Sequence, residues 1–199
     1  MRVSVAFYRG GENSLEEPLL NTIAKLFTGE YVHCELVFDD PCTSTHTLAC
    51  SVWQHETVFM RPKTFGRTKW NHVELAIPDI AGQTMKKWCR EQIGKPFNTS
   101  GFYRCITPFP CYANGEEWFC SELVVTALQK AGYLLKVIPS TCTPTYLFHM
   151  LQGNSFDSHV GGNPLMEDRI ACGGLSSHAA LRSNMTLIRQ WSSHVHEQV

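Results

Sequence analysis

Phe119-Cys120-Ser121-Glu122-Leu123-Val124-Val125-Thr126-Ala127-Leu128-Gln129-Lys130-Ala131-Gly132 is the stretch whose reading decides the fold. Leu123, Val124, Ala127, Leu128 and Ala131 recur at helical spacing and make one apolar stripe, and Gly132 is suited to end the helix in a left-handed conformation. Cys120 therefore stands in the first turn. The first N–H groups of a helix have no intrahelical acceptor and the helix dipole is positive there, so a thiol at this position ionises more readily than a free one. The N–H groups of Cys120 and Ser121 also point where the oxyanion of a tetrahedral intermediate would form.

Upstream of this helix the chain reads as strands. Val3 to Tyr8 is rich in strand formers and is broken by Arg9-Gly10-Gly11. Ser14 followed by Glu17 is a capping-box pattern, and Leu19, Leu20, Ile23, Ala24 and Phe27 continue it as a helix up to Gly29. Tyr31 to Phe38 is a second strand, closed by Asp39-Asp40-Pro41, and Thr45 to Val52 is expected to return as the other arm of a hairpin. Thr57 to Arg61 and His72 to Ile77 follow as further strands. Consecutive strands with short connections imply an antiparallel sheet. Ile80 to Ile93 has the spacing of an amphipathic helix that Gly94-Lys95-Pro96 terminates, and a long loop is expected from there to Glu117.

Downstream, Thr143-Pro144 opens a short helix through Tyr146, Leu147, Met150 and Leu151. The composition then shifts to Gly, Ser, His and Asn. The expected organisation is one domain over residues 1–152, with 153–199 a tail that is flexible in part and whose removal leaves a folded core. The fold class read from this order is α+β, an antiparallel sheet packed against helices with Cys120 at a helix amino terminus.

A cysteine nucleophile needs an imidazole to accept and return a proton, and His33, held within a strand, is the candidate base. Glu35 shares a face with His33 because strand side chains repeat every two residues, so its carboxylate is placed to orient the imidazole or to contact substrate. Ser44, His46, Thr47 and Ser51 on the following strand are alternatives for that third role. Plainer readings stand beside these. The chain has nine cysteines and nine histidines, free cysteine is commonly buried, a strand histidine is commonly packed, and Glu35 reads equally as a partly exposed edge carboxylate. Phe97, Phe102, Tyr103, Phe109, Tyr112 and Trp118 line the loop before Cys120 and serve either a cleft or packing. Arg61, Lys63, Arg67 and Lys69 make a basic segment that a solvated sheet edge explains.

Composition narrows the classes. Lys plus Arg number 17 against 18 Asp plus Glu in 199 residues, so no strong field attracts nucleic acid or an anionic membrane surface. No apolar run is long enough to cross a bilayer, and the amino terminus lacks the apolar segment of a secretory signal. An intracellular, reducing, cytoplasmic setting is the expectation for so many cysteines without that signal. No two of them stand in C-x-x-C spacing, so no zinc site and no other cofactor is expected.

The order of a His strand, a hairpin, further strands, a helix ending in Gly94-Lys95-Pro96-Phe97-Asn98, and then Phe119-Cys120-Ser121-Glu122-Leu123-Val124 resembles the circularly permuted NlpC-like papain-fold superfamily. That group contains YiiX-like amidases, a poxvirus protein family and lecithin:retinol acyltransferase-like enzymes. The resemblance covers about residues 3 to 151 and implies a permuted papain-like fold with Cys120 as nucleophile and His33 as base. It implies acyl transfer through a thioester on a peptide-like or acylated substrate. Amide hydrolysis is preferred over lipid or lysine acyl transfer because no lipid-binding helix is apparent, and a catalytically idle binding module of the same fold is the contrasting possibility.

Overall fold

The computed structural model describes residues 1–10, 29–39, 47–105 and 114–153. The expected helix over Ser14 to Phe27, the loop aromatics Phe109 and Tyr112, the alternatives Ser44 and His46, and the whole tail after Gly153 lie outside the described residues.

Five strands form one sheet: β1 (Arg2–Tyr8), β2 (His33–Asp39), β3 (Leu48–Ser51), β4 (Phe59–Pro62) and β5 (Trp70–Leu75). Their order is β4-β3-β2-β1-β5, and every neighbouring pair is antiparallel. The described helices are α1 (Asp79–Gln92), α2 (Thr99–Cys105), α3 (Cys120–Lys130) and α4 (Pro144–Gly153), with a 3-10 turn at Pro139–Thr141. The architecture is α+β, as the sequence implies. β5 does not continue outward from β4, however; it crosses the sheet to pair with β1.

The register sorts the side chains into two faces. Val3, Val5 and Phe7 of β1 lie opposite Phe38, Leu36 and Cys34 of β2, and all six are buried in the main core. α3 packs on this face through Leu123, Val124, Ala127 and Leu128, each at most 1% exposed. Phe7, Tyr31 and Phe148 interlock edge-on or tilted at 4.3–5.6 Å between ring centroids, which ties α4 to the sheet. The alternate residues put Tyr8 beside His33, Ala6 beside Glu35 and Ser4 beside Val37 on the second face. Trp70, His72 and Glu74 of β5 extend those rows on one side, because they pair with Tyr8, Ala6 and Ser4.

Two expectations need correction. The loop from Gly94 to Glu117 is not wholly loop, since Thr99–Cys105 is helical. Asn98 caps it by accepting the Gly101 N–H at 2.6 Å, and a Cβ at Gly101 would meet the Asn98 side chain at 2.3 Å. The strands expected over 57–61 and 72–77 are also displaced by one or two residues, running Phe59–Pro62 and Trp70–Leu75, while β3 lies within the expected 45–52.

Candidate functional site

The approach to Cys120 is fixed by backbone. Gly94, at φ +89°, reverses the chain after α1, a conformation that favours glycine. The following residues lie against two other segments: Phe97 N–H donates to Glu56 O at 3.2 Å, Asn98 N–H to Trp118 O at 2.9 Å, and Trp118 N–H to Pro96 O at 3.1 Å. Lys95 Nζ donates to Gln92 Oε1 at 2.9 Å and Gly115 O at 2.5 Å. The Gly-Lys-Pro-Phe motif is thus a splint for residues 115–118, which lead directly into α3. Phe119 is extended, its carbonyl accepts the first helical bond from Leu123 N–H at 3.0 Å, and its N–H donates to Glu122 Oε2 at 3.4 Å.

Cys120 is the first residue of α3 and only 3% exposed. Its sulfur is held by the thiol of Cys34, by the ring of His33 and by the Cys34 backbone N–H. The Cys34 thiol bond leads in holding the Cys120 pKa well below that of an ordinary thiol; burial opposes it, and the His33 charge and hydrogen bond add to it. Cys34 is pushed the other way, by burial first and then by donating to the Cys120 sulfur. It remains a neutral donor.

His33, 4% exposed, opens β2. Its Nε2 lies 3.2 Å from Glu35 Oε1 and 3.4 Å from Ser51 Oγ. Burial works to lower the imidazole pKa, but the Cys120 charge and hydrogen bond, together with Glu35, outweigh it and raise the value to about 9. A thiolate–imidazolium pair is the resting state these shifts favour at neutral pH.

Glu35 is fully buried, not a partly exposed edge carboxylate. Burial pushes its pKa up, yet hydrogen bonds and charge from His33 and then Lys63 bring it below the ordinary carboxylate value. Lys63 Nζ reaches Glu35 Oε1 at 2.6 Å, while Oε2 has no partner among the described residues. Ser51 spends its hydroxyl proton on Cys34 O at 2.8 Å, so Glu35 is the better placed partner for the His33 Nε2–H. Thr47, the remaining described alternative, borders an open cleft of about 390 Å³ on the second face, along with Lys63, Phe65, His72 and Glu74. That cleft includes neither Cys120 nor His33.

The structure brings Cys120, His33 and Glu35 together. It adds neighbours that sequence reasoning did not single out: Cys34, Lys63, Glu122, and the rings of Tyr8, Trp53 and Trp70. The signal for Cys34 was its place beside His33, and the rings of Tyr8 and Trp70 share a face with His33 only once the register is known. Of the loop aromatics, Phe102 and Trp118 are buried packing residues, and Tyr103 is 41% exposed. Among the described residues no group of His, Cys, Asp and Glu could hold a metal ion, and no helix is long and apolar enough to cross a membrane. Comparisons of the chain with family models, with curated proteins and with solved structures found no match in any of the three.

Proposed function

We propose that the protein is a cysteine-dependent hydrolase of amide bonds, working through a thioester, with Cys120 as nucleophile, His33 as acid and base, and Glu35 as the group that orients the imidazole. The observation that carries this reading is the unbroken chain from the Cys120 sulfur through the His33 ring to a buried carboxylate, 3.2 Å from Nε2. A thiol on a neutral path to a packed histidine would not need that carboxylate. The permuted papain-like fold belongs to the same proposal, supported by the order of His strand, Cys helix and Gly-Lys-Pro-Phe splint.

In this mechanism the thiolate attacks the carbonyl carbon and the carbonyl π pair moves to oxygen, opposite the N–H groups of Cys120 and Ser121. The imidazolium of His33 gives its proton to the leaving nitrogen as the C–N bond breaks, leaving a thioester and a neutral imidazole. Water then attacks the thioester while His33 takes its proton. Collapse expels the thiolate, releases the acid and restores the starting pair. Glu35 keeps the ring in one orientation throughout. A lipid or lysine acceptor in place of water would give the acyltransferase variant with the same first half.

Labelling with panels of acyl-amide, ubiquitin-type and lipid electrophiles, on the wild type and Cys120→Ala, tests the reading. Labelling lost in Cys120→Ala supports it, and the panel member that reacts fastest names the acyl class. Labelling that survives the change, or a Cys120 thiol that titrates near the free value of about 8.5, would leave an idle binding module as the better account.

A further inference from the structure

We propose that Lys63 is a positioning residue of this site: it holds the Glu35–His33–Cys120 chain in its charged form by supplying the cation that balances the carboxylate. The inference rests on the hydrolase reading and extends it to a residue outside the reacting atoms.

The geometry separates Lys63 from the rest of its basic segment. Arg61 is 54% exposed and pairs with Glu56 at 3.9 Å, a contact of the solvated kind. Lys63 is 21% exposed and meets a carboxylate with no exposure at 2.6 Å. Its ammonium lies 4.4 Å from the Trp70 ring centroid, 5.2 Å from Phe65 and 5.4 Å from Trp53, so three aromatic rings replace much of its water. Trp53 is also the ring stacked on His33. One indole therefore borders both the ammonium and the imidazole. Both cations converge on one oxygen, since Glu35 Oε1 is the atom that meets His33 Nε2 and Lys63 Nζ.

The charges decide what Lys63 does. Thiolate, imidazolium, carboxylate and ammonium sum to zero, whereas the same set without the ammonium carries one buried negative charge. Such a set binds protons more tightly, and each ionisation in it moves to higher pH. The groups facing the chain from neighbouring elements do not replace the cation. Cys34 of β2, Cys105 of α2 and Cys142 are thiols that burial keeps protonated. Glu122 of α3 and Glu74 of β5 are acids, and burial biases His72 of β5 toward its neutral form. Among the described residues, Lys63 is the cation paired with Glu35 besides His33 itself.

The test is the pH profile of iodoacetamide alkylation at the Cys120 peptide, followed by mass spectrometry on the full chain for wild type, Lys63→Met, Lys63→Gln and Lys63→Arg. The expected result is an acid limb displaced upward by roughly one pH unit in the two neutral variants, so that alkylation on that limb slows about ten-fold, with Lys63→Arg close to wild type. Using two neutral variants keeps the conclusion from depending on the folding of either. A merely structural role would change melting without moving the limb. Neutral-variant profiles that superimpose on a low wild-type limb overturn the role of Lys63 and leave the hydrolase reading intact. A wild-type limb near 8.5 overturns both.

Discussion

The imidazole of His33 lies nearly flat on the indole of Trp53, with ring centroids 3.6 Å apart and planes 22° from parallel. The indole is in turn held edge-on by Tyr8 at 6.0 Å and Trp70 at 6.5 Å. A ring face against an imidazolium is an attractive contact, and stacking removes the ring's freedom to turn away from sulfur. Trp53 is thus to the plane of His33 what Glu35 is to its nitrogen.

Trp53→Ala is therefore expected to cost about 1–3 kcal/mol of stability, less than a fully buried tryptophan because the indole is only half-buried. Trp53→Phe is expected to keep most of it. Denaturant midpoints at unchanged slope measure this. An unchanged midpoint for Trp53→Ala would mean the indole rests on the surface without holding the histidine.

Cys34 offers a more local test of the sulfur. Its thiol leads among the groups that hold Cys120 below the ordinary thiol range, so removing the donor releases part of that shift. Cys34→Ala is expected to raise the pH at which Cys120 alkylates by about one unit, and Cys34→Ser, which keeps a hydrogen on a heteroatom, by less. The direction also fixes a stability effect. A thiol lowered in the folded state stabilises the protein above its unfolded pKa and loses that contribution as pH falls through the folded value. Equal alkylation profiles for wild type and Cys34→Ala would remove Cys34 from the account of Cys120.

Glu122 carries the opposite sign. Burial raises its carboxyl from the ordinary 4.5 to about 7, against the Phe119 N–H and the Asn98 side chain, and one of its oxygens has no partner among the described residues. A raised acid contributes full stability below its unfolded pKa, and that stability drains away as pH climbs through the folded value. Between about pH 4.5 and 7 the wild type should lose up to about 3 kcal/mol that Glu122→Gln does not lose. The two proteins are expected to melt alike at pH 4, with the glutamine variant the more stable at pH 8. Parallel curves across that range would show that the carboxyl ionises normally.

Much of the scaffold was legible because periodicity carries it. The stripe over Leu123 to Ala131 marked α3 and so placed Cys120 in a first turn, and the two-residue repeat from His33 to Glu35 set both on one face before any partner was known. The crossing of β5 to the edge beside β1 was not legible, since strand order across a sheet is decided by which apolar faces meet and not by any local pattern. The helix Thr99–Cys105 escaped for a different reason: seven residues are too few to show a period, and its capping Asn98 follows a proline motif that reads as loop. Lys63 escaped because a lysine among Arg61, Arg67 and Lys69 reads as solvated edge. Only the fold shows that its neighbours in space are three rings and a buried carboxylate.

The choice of third residue is open at the level of sequence between Glu35 and the polar residues Ser44, His46, Thr47 and Ser51; between Glu35 and Ser51, the two that the structure puts against His33, it now has a quantitative expectation. Both approach the same nitrogen, at 3.2 Å and 3.4 Å, but Ser51 donates its proton to Cys34 O and can offer His33 Nε2–H only a lone pair. Glu35 offers a full charge in a buried site, where it also favours the imidazolium that protonates the leaving group in the proposed mechanism. Glu35→Gln is expected to lower turnover of whichever electrophile or amide the labelling identifies by about 10- to 100-fold with little change in melting, and Ser51→Ala by no more than about three-fold. The two variants should also part in their pH dependence, because only the loss of the carboxylate lowers the His33 pKa from about 9 and brings the alkaline limb down with it. A larger loss for Ser51→Ala than for Glu35→Gln would hand the orienting role to the hydroxyl and leave Glu35 and Lys63 as a buried ion pair on the sheet.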